Sequence, residues 1–298
     1  MRSMVWTGVV LVLGLGIAQA NTLSISATTG FLADMVRNVG GSRVSVVQVV
    51  PDGSDPHSFE PRPSVVRAIA GSRVLFANGL FLEPFLEKLE AQLPAGARVV
   101  KLAEGMPNLI EVAENGPHQE AEHAHDHGAY DPHLWLDPTY GLRYVEKIRD
   151  ALIALDPAGR AIYTQNAARY IQRIRQVDAE VQRCLAAIPQ TRRKLVSQHE
   201  SLGYFNRYYR LKSLGSIADF VGQERGPASL ARLAQVMKRE GVRVIFVEPQ
   251  FSQSQARSLA EATGARIVRI YSDAFDRAVD SYLELIQANG QAICTAFK

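Results

Sequence analysis

The sequence predicts an α/β fold of two βα lobes with parallel sheets, joined by a long rigid helix. Three observations carry that expectation. Short β-branched runs alternate with longer apolar patterns of helical period, the signature of parallel βα units. The alternation stops mid-chain, where residues 138–188 offer helical patterning and no strand candidate. It then resumes as a second series.

In the first series the strand candidates are Leu23–Ala27, Val44–Val50, Arg73–Ala77 and Arg98–Leu102, each rich in Val, Ile or Leu. Helical patterns lie between them, such as Phe31–Val39 and Pro84–Leu93. The second series has strand candidates Lys194–Gln198, Leu211–Ile217, Val242–Val247 and Arg266–Ile270, with helical patterns at Leu230–Arg239 and Gln255–Thr263. In the middle, Asp156-Pro157 separates two helical stretches. The second, Ala158 to Ile188, spans about 31 residues and reaches ~46 Å at 1.5 Å per residue. That is long for one small domain and suits a strut between two. The expected division is an N-terminal lobe over 21–157, a linking helix over 158–188 and a C-terminal lobe over 189–298.

Residues 1–20 fall outside this pattern. Arg2 precedes an apolar run from Val5 to Ile17, and Ala18-Gln19-Ala20 places small residues where a signal peptidase cuts. This is the three-part grammar of a secretory signal peptide, with cleavage after Ala20. The apolar run is shorter than the ~20 residues of a membrane span. No cysteine stands at the cleavage point to take a lipid. The expectation is an exported, soluble protein of a periplasm-like space.

The formal charge is only +3. Lys and Arg are scattered, and the short Arg192-Arg193-Lys194 run reads as a solvated connection, so nothing calls for a nucleic-acid partner. An oxidising compartment would let Cys184 and Cys294 pair. Their Cα atoms would have to come within ~4.4–6.8 Å, which sequence cannot show. Neither has a second cysteine or histidine at ligand spacing, which argues against a metal role for them.

The seven histidines fall into two groups. His118, His123, His125 and His127 lie in a polar segment from Glu104 to Tyr130, expected to be a mobile loop with weak metal affinity. His57, His133 and His199 each follow a strand candidate or precede the central helices. In open parallel sheets, ligands bind beyond the carboxyl ends of the strands. The three could therefore converge on a cleft between the lobes. Imidazole nitrogen is a good zinc donor, and three neutral imidazoles leave a divalent charge uncompensated. A carboxylate would complete the set. Asp273, after the strand Arg266–Ile270, is the first candidate and Glu60 the alternative. Asp276 and Asp280 are better explained by the first turn of the last helix. Trp135 reads as core or cleft wall, and Glu248-Pro249 as a strand terminus.

Three segments carry a resemblance. Asp55-Pro56-His57-Ser58-Phe59-Glu60-Pro61, Asp131-Pro132-His133-Leu134-Trp135-Leu136-Asp137-Pro138 and Ser197-Gln198-His199 look like the signature segments of the metal-specific solute-binding proteins of ABC importers. Their order, the His-rich insert before the second segment and the long central helix match over essentially the whole mature chain. The resemblance implies two βα lobes joined by a rigid helix, with metal held between them by His57, His133 and His199. Tyr271-Ser272-Asp273 resembles, over a shorter match, the stretch supplying the fourth ligand.

Manganese-selective members typically have a carboxylate where this chain has His199. Three imidazoles and one carboxylate suit zinc, with manganese as the alternative. The expectation is therefore a monomeric zinc carrier and not an enzyme. Its partner would be a membrane permease, and a metal-loading chaperone is a second candidate. A zinc hydrolase, using Glu60 or Glu200 as base, and an adhesin remain the alternatives from other classes.

Overall fold

The computed structural model describes residues 22–112, 129–219 and 223–298. The expected signal peptide and His118, His123, His125 and His127 lie outside the described residues. All eight strand candidates are strands, with ends within two residues of those expected. The first sheet holds β1 (Leu23–Ala27), β2 (Val44–Gln48), β3 (Val74–Ala77) and β4 (Arg98–Lys101) in the order β2-β1-β3-β4. The second holds β5 (Lys194–Ser197), β6 (Lys212–Ser216), β7 (Val244–Val247) and β8 (Arg266–Arg269) in the equivalent order β6-β5-β7-β8. Every pairing between these strands is parallel.

Parallel neighbours require crossovers, and helices supply them. In the first lobe these include α1 (Gly30–Gly40), α2 (Pro63–Ile69) and α3 (Leu86–Glu90). Two central helices follow, α4 (Pro138–Leu155) and α5 (Arg160–Ala186). The second lobe adds α6 (Gly203–Tyr209), α7 (Pro227–Glu240) and α8 (Ser254–Thr263), and α9 (Tyr282–Phe297) closes the chain. The seven-residue helices α2 and α6 span only two turns, too few for hydrophobic periodicity to mark them in sequence.

The period-2 alternation of the strands assigns their side chains to two layers in each lobe. Val74 and Phe76 of β3 face a central core, whereas Leu75 and Ala77 face an outer cluster. β7 repeats this, with Val244 and Phe246 central and Ile245 and Val247 outward. The central core is continuous from one lobe to the other. Phe31, Trp135, Tyr163, Tyr204, Phe246 and Tyr282 all belong to it.

At 27 residues α5 is shorter than the expected 31 or so. Pro157–Gly159 instead forms a 3-10 turn. At the other end, Pro189 disfavours helical backbone at Ile188. The remaining helix still runs ~40 Å. It buries one face, Tyr163, Ala167, Tyr170, Ile174, Val181 and Leu185, at helical spacing. It packs against α4, α1 and α9. The Tyr170 hydroxyl and the Tyr282 backbone N–H both donate to Asp34 Oδ2, at 2.6 and 3.0 Å, so one α1 carboxylate ties α5 to α9. Cys184 of α5 and Cys294 of α9 are disulfide-bonded, with Cα atoms 6.1 Å apart.

The polar segment from 104 to 130 was expected to be mobile throughout, and at its ends the structure differs. Met106 is buried, Leu109 and Ile110 pack on the core, and Glu111 bridges Tyr130 in antiparallel fashion. Ile110 N–H donates to the Tyr204 hydroxyl at 3.0 Å. The large aliphatic residues Met106, Leu109 and Ile110 anchor the start of the segment on the core.

Candidate metal centre

Each of the four expected donors leaves a different strand, or the turn before α4, and all meet at the carboxyl ends of the two sheets. His57 lies in the loop after β2. Its N–H donates to Asp55 Oδ1 at 3.0 Å, and Ser58 Oγ donates to Asp55 Oδ2 at 2.8 Å, so Asp55 shapes the turn that presents the imidazole. His133 is fixed twice by Asp131 Oδ1, which accepts from its backbone N–H at 2.9 Å and from Nδ1 at 2.7 Å. His199 directly follows the Ser197 end of β5 and Gln198, and its Nδ1 is hydrogen-bonded to Glu248 Oε2. Asp273 lies in the buried stretch Tyr271–Phe275 beyond β8.

One donor atom from each of these four residues lies within 4.8 Å of the others, and all four residues are buried. His133 Nε2 is 3.3 Å from His57 Nε2 and 3.4 Å from His199 Nε2. Asp273 Oδ1 is 3.4 Å from His133 Nε2, and Oδ2 is 3.2 Å from His199 Nε2. A tetrahedron with zinc–ligand bonds of ~2.0–2.2 Å has edges of ~3.3–3.6 Å. Converging imidazole lone pairs repel unless a proton or a cation lies between them. Asp273 Oδ1 is buried with no hydrogen-bond partner among the described residues, which costs free energy unless something cationic faces it.

The electrostatics agree. Burial alone would push His199 down, but Glu248 and Asp273 outweigh it and hold His199 well above its ordinary range. Burial would likewise raise Asp273, yet His133, His199 and His57 bring its carboxyl below the usual carboxylate range. The centre is thus a buried pocket that favours positive charge.

Glu60, the alternative fourth ligand, is exposed and stands outside this cluster. Asp276 and Asp280 are outside it too. Asp276 accepts from Ala278 N–H at 2.8 Å and Arg269 Nη1 at 3.0 Å, which are turn contacts. Asp280 is exposed just before α9. Glu200 is occupied by Arg225 and by Ser216 Oγ at 3.1 Å.

Sequence reading missed the residues that hold the donors. Glu248, read as a strand terminus, is fully buried and accepts from His199 Nδ1 and from Ser201 Oγ at 3.2 Å. Asp131 plays the same part for His133, so both imidazoles present Nε2 to the centre. Asn78 Nδ2 donates to Pro132 O at 2.9 Å, and buried Glu83 fixes Asn78 by accepting its N–H at 2.8 Å. Trp135 is indeed wall: it stacks on Phe31 with ring centroids 4.1 Å apart, and its Nε1–H donates to Ser272 O at 3.0 Å, beside Asp273. No local sequence signal marks Glu248, because its partner His199 lies 49 positions away and meets it only once β5 and β7 pair.

Comparison with known proteins points the same way. The family described as zinc-uptake complex component A, periplasmic, matches residues 25–296. The manganese-binding lipoprotein MntA of Halalkalibacterium halodurans is 29% identical over 272 residues, covering 90% of this chain and 86% of that protein. The iron ABC transporter substrate-binding lipoprotein MtsA of Streptococcus pyogenes is 26% identical over 280 residues, covering 91% and 88%. In structure, the periplasmic zinc-binding protein TroA of Treponema pallidum superposes with a TM-score of 0.80 at 24% identity, over 93% of this chain and 99% of that one. At that identity the likeness concerns the fold.

Proposed function

The chain belongs to the family of the periplasmic component A of zinc-uptake complexes, and from that membership we propose that it captures zinc and delivers it to an ABC-type importer. A member of this family is a solute-binding component of a metal importer and not an enzyme, which overturns the hydrolase alternative. Relatives are named for manganese and for iron, so membership leaves the ion open and the donor chemistry must argue for it.

The observation that carries the zinc reading is the donor set, three imidazole nitrogens and one carboxylate, all buried, with donor atoms within 4.8 Å of one another and His133 Nε2 3.3 and 3.4 Å from the other two imidazole nitrogens. Zinc favours four such donors, whereas manganese favours more, and oxygen-rich, ligands. The Irving–Williams order adds affinity in the same direction. In this reading His57, His133, His199 and Asp273 bind the ion directly, while Asp131 and Glu248 orient two of the imidazoles.

Capture and release require no covalent chemistry. The loaded protein docks on a permease that extracts the ion. The continuous core between the lobes and the α1–α5–α9 tie favour a small closure on binding. Export with cleavage after Ala20, a monomeric state and loading by a chaperone belong to the same proposal. Among the described residues no helix is long and apolar enough to cross a membrane. We assign His118, His123, His125 and His127 an auxiliary role, gathering zinc weakly for the buried centre.

Calorimetric titration of the metal-stripped protein, first with zinc and then with manganese, tests the reading. One tight zinc site with clearly weaker manganese binding is expected. Manganese binding as tight as zinc would overturn the assignment of the ion.

A further inference from the structure

Gln250 stands two residues beyond Glu248, in the loop after β7, and its amide reaches the metal centre from behind. Its Nε2 lies 3.2 Å from Asp273 Oδ2, 3.1 Å from Ser272 Oγ and 3.3 Å from Glu248 Oε2. The orientation follows from those neighbours. Turning the amide over would set its carbonyl oxygen against two carboxylates, so the N–H groups must face them. Asp273 therefore has two unlike oxygens. Oδ2 accepts from Gln250, whereas Oδ1 has no hydrogen-bond partner among the described residues and lies 3.4 Å from His133 Nε2.

Oδ2 also lies 3.2 Å from His199 Nε2. That contact is lost when the imidazole turns its lone pair to an ion. Gln250 then remains as the donor holding Oδ2. A carboxylate whose second oxygen is held by an N–H binds through one oxygen. Freed of that donor, it can swing to bind through both.

We propose that Gln250 is a positioning residue that keeps Asp273 monodentate and so makes the centre four-coordinate and selective for zinc over ions that prefer five or six ligands. The inference rests on the zinc-carrier reading above and adds the residue that sets its selectivity. Gln250 touches no ion itself. It acts through Asp273, and through Glu248 on His199.

The test compares the parent protein with Gln250→Met, which keeps the side-chain length and removes both N–H donors, and with Gln250→Ala. Cobalt(II) serves as the spectroscopic probe, because tetrahedral cobalt absorbs visible light far more strongly than five- or six-coordinate cobalt. Zinc and manganese affinities are measured in parallel, with melting curves to confirm folding. The parent should give the intense tetrahedral spectrum. Both variants should lose intensity, and their zinc-over-manganese preference should fall by about tenfold or more, the lower end of effects at residues supporting metal ligands. An unchanged cobalt spectrum in both variants would overturn the inference while leaving the carrier reading intact. So would a parallel loss of zinc and manganese affinity with no spectral change, which is what general loosening would produce. A parent protein that shows no tetrahedral cobalt spectrum would overturn both.

Discussion

Replacing Asp273 by Asn keeps the size and planarity of the side chain and removes the only anionic donor of the proposed site. In the structure its two oxygens stand 3.4 Å from His133 Nε2 and 3.2 Å from His199 Nε2, so the substitution removes the negative charge that faces both imidazoles while keeping the side chain's shape. Glu60 is exposed and outside the cluster, so it cannot substitute. Residues one bond further from a metal than its ligands typically contribute 10–100-fold in affinity. A direct, charged ligand should contribute at least the upper end, about 100-fold or ~2.7 kcal/mol. In excess zinc that difference appears almost entirely as lost stabilisation of the folded state. At about 2–4 °C per kcal/mol for a chain of this size, the zinc-induced rise in Tm should shrink by roughly 5–11 °C. Melting curves with and without saturating zinc, beside direct titration, measure both quantities. An Asp273→Asn protein with the parent's zinc affinity and Tm shift would show that Asp273 is not a ligand. Glu60→Ala serves as the control and should change neither.

Three other outcomes follow from the structure. The raised affinity of His199 for its proton, set by Glu248 and Asp273 against burial, means that zinc must displace that proton. Zinc affinity should therefore fall as pH is lowered, beginning above the ordinary imidazole range near ~6.5, and titrations in buffers of different ionisation enthalpy should register proton release. Equal heats in both buffers would contradict this. A Cβ at Gly141 of α4 would lie 2.1 Å from the Tyr282 hydroxyl, itself donating to Trp135 O at 2.6 Å. Gly141→Ala should cost about 1–3 kcal/mol by overpacking, measured by urea unfolding, and a variant as stable as the parent would show that Tyr282 is free to shift. The Cys184–Cys294 bond closes a loop of sequence separation 110, worth at most about 4.8 kcal/mol of unfolded-state entropy. The double replacement by Ser should lower stability towards that limit yet leave zinc stoichiometry at one, and a change in stoichiometry would tie the bond to the site.

The eight strands, the long central helix and the placement of His57, His133 and His199 could be read from the chain because each rests on a local regularity. β-branched runs, a 3.6-residue period and histidines just past strand ends are properties of neighbouring residues. Such patterns determine which segments become strands and that a cleft between two parallel sheets would collect His57, His133, His199 and a carboxylate. The choice between Asp273 and Glu60 was not available locally. Both are carboxylates near a plausible position, and only packing buried one and left the other in solvent. The support beneath the donors was equally out of reach. Glu248 meets His199 across 49 positions of sequence, Trp135 meets Ser272 across 137, and Asp34 meets Tyr282 across 248. No propensity or period encodes such contacts, because they exist only once two sheets and a shared helix layer have been brought together. The sequence by itself therefore determined the elements and the chemistry of the metal donors. Tertiary structure decided which carboxylate joins them, which side chains hold them in place and how one core spans both lobes, since burial and long-range hydrogen bonding are properties of the assembled chain.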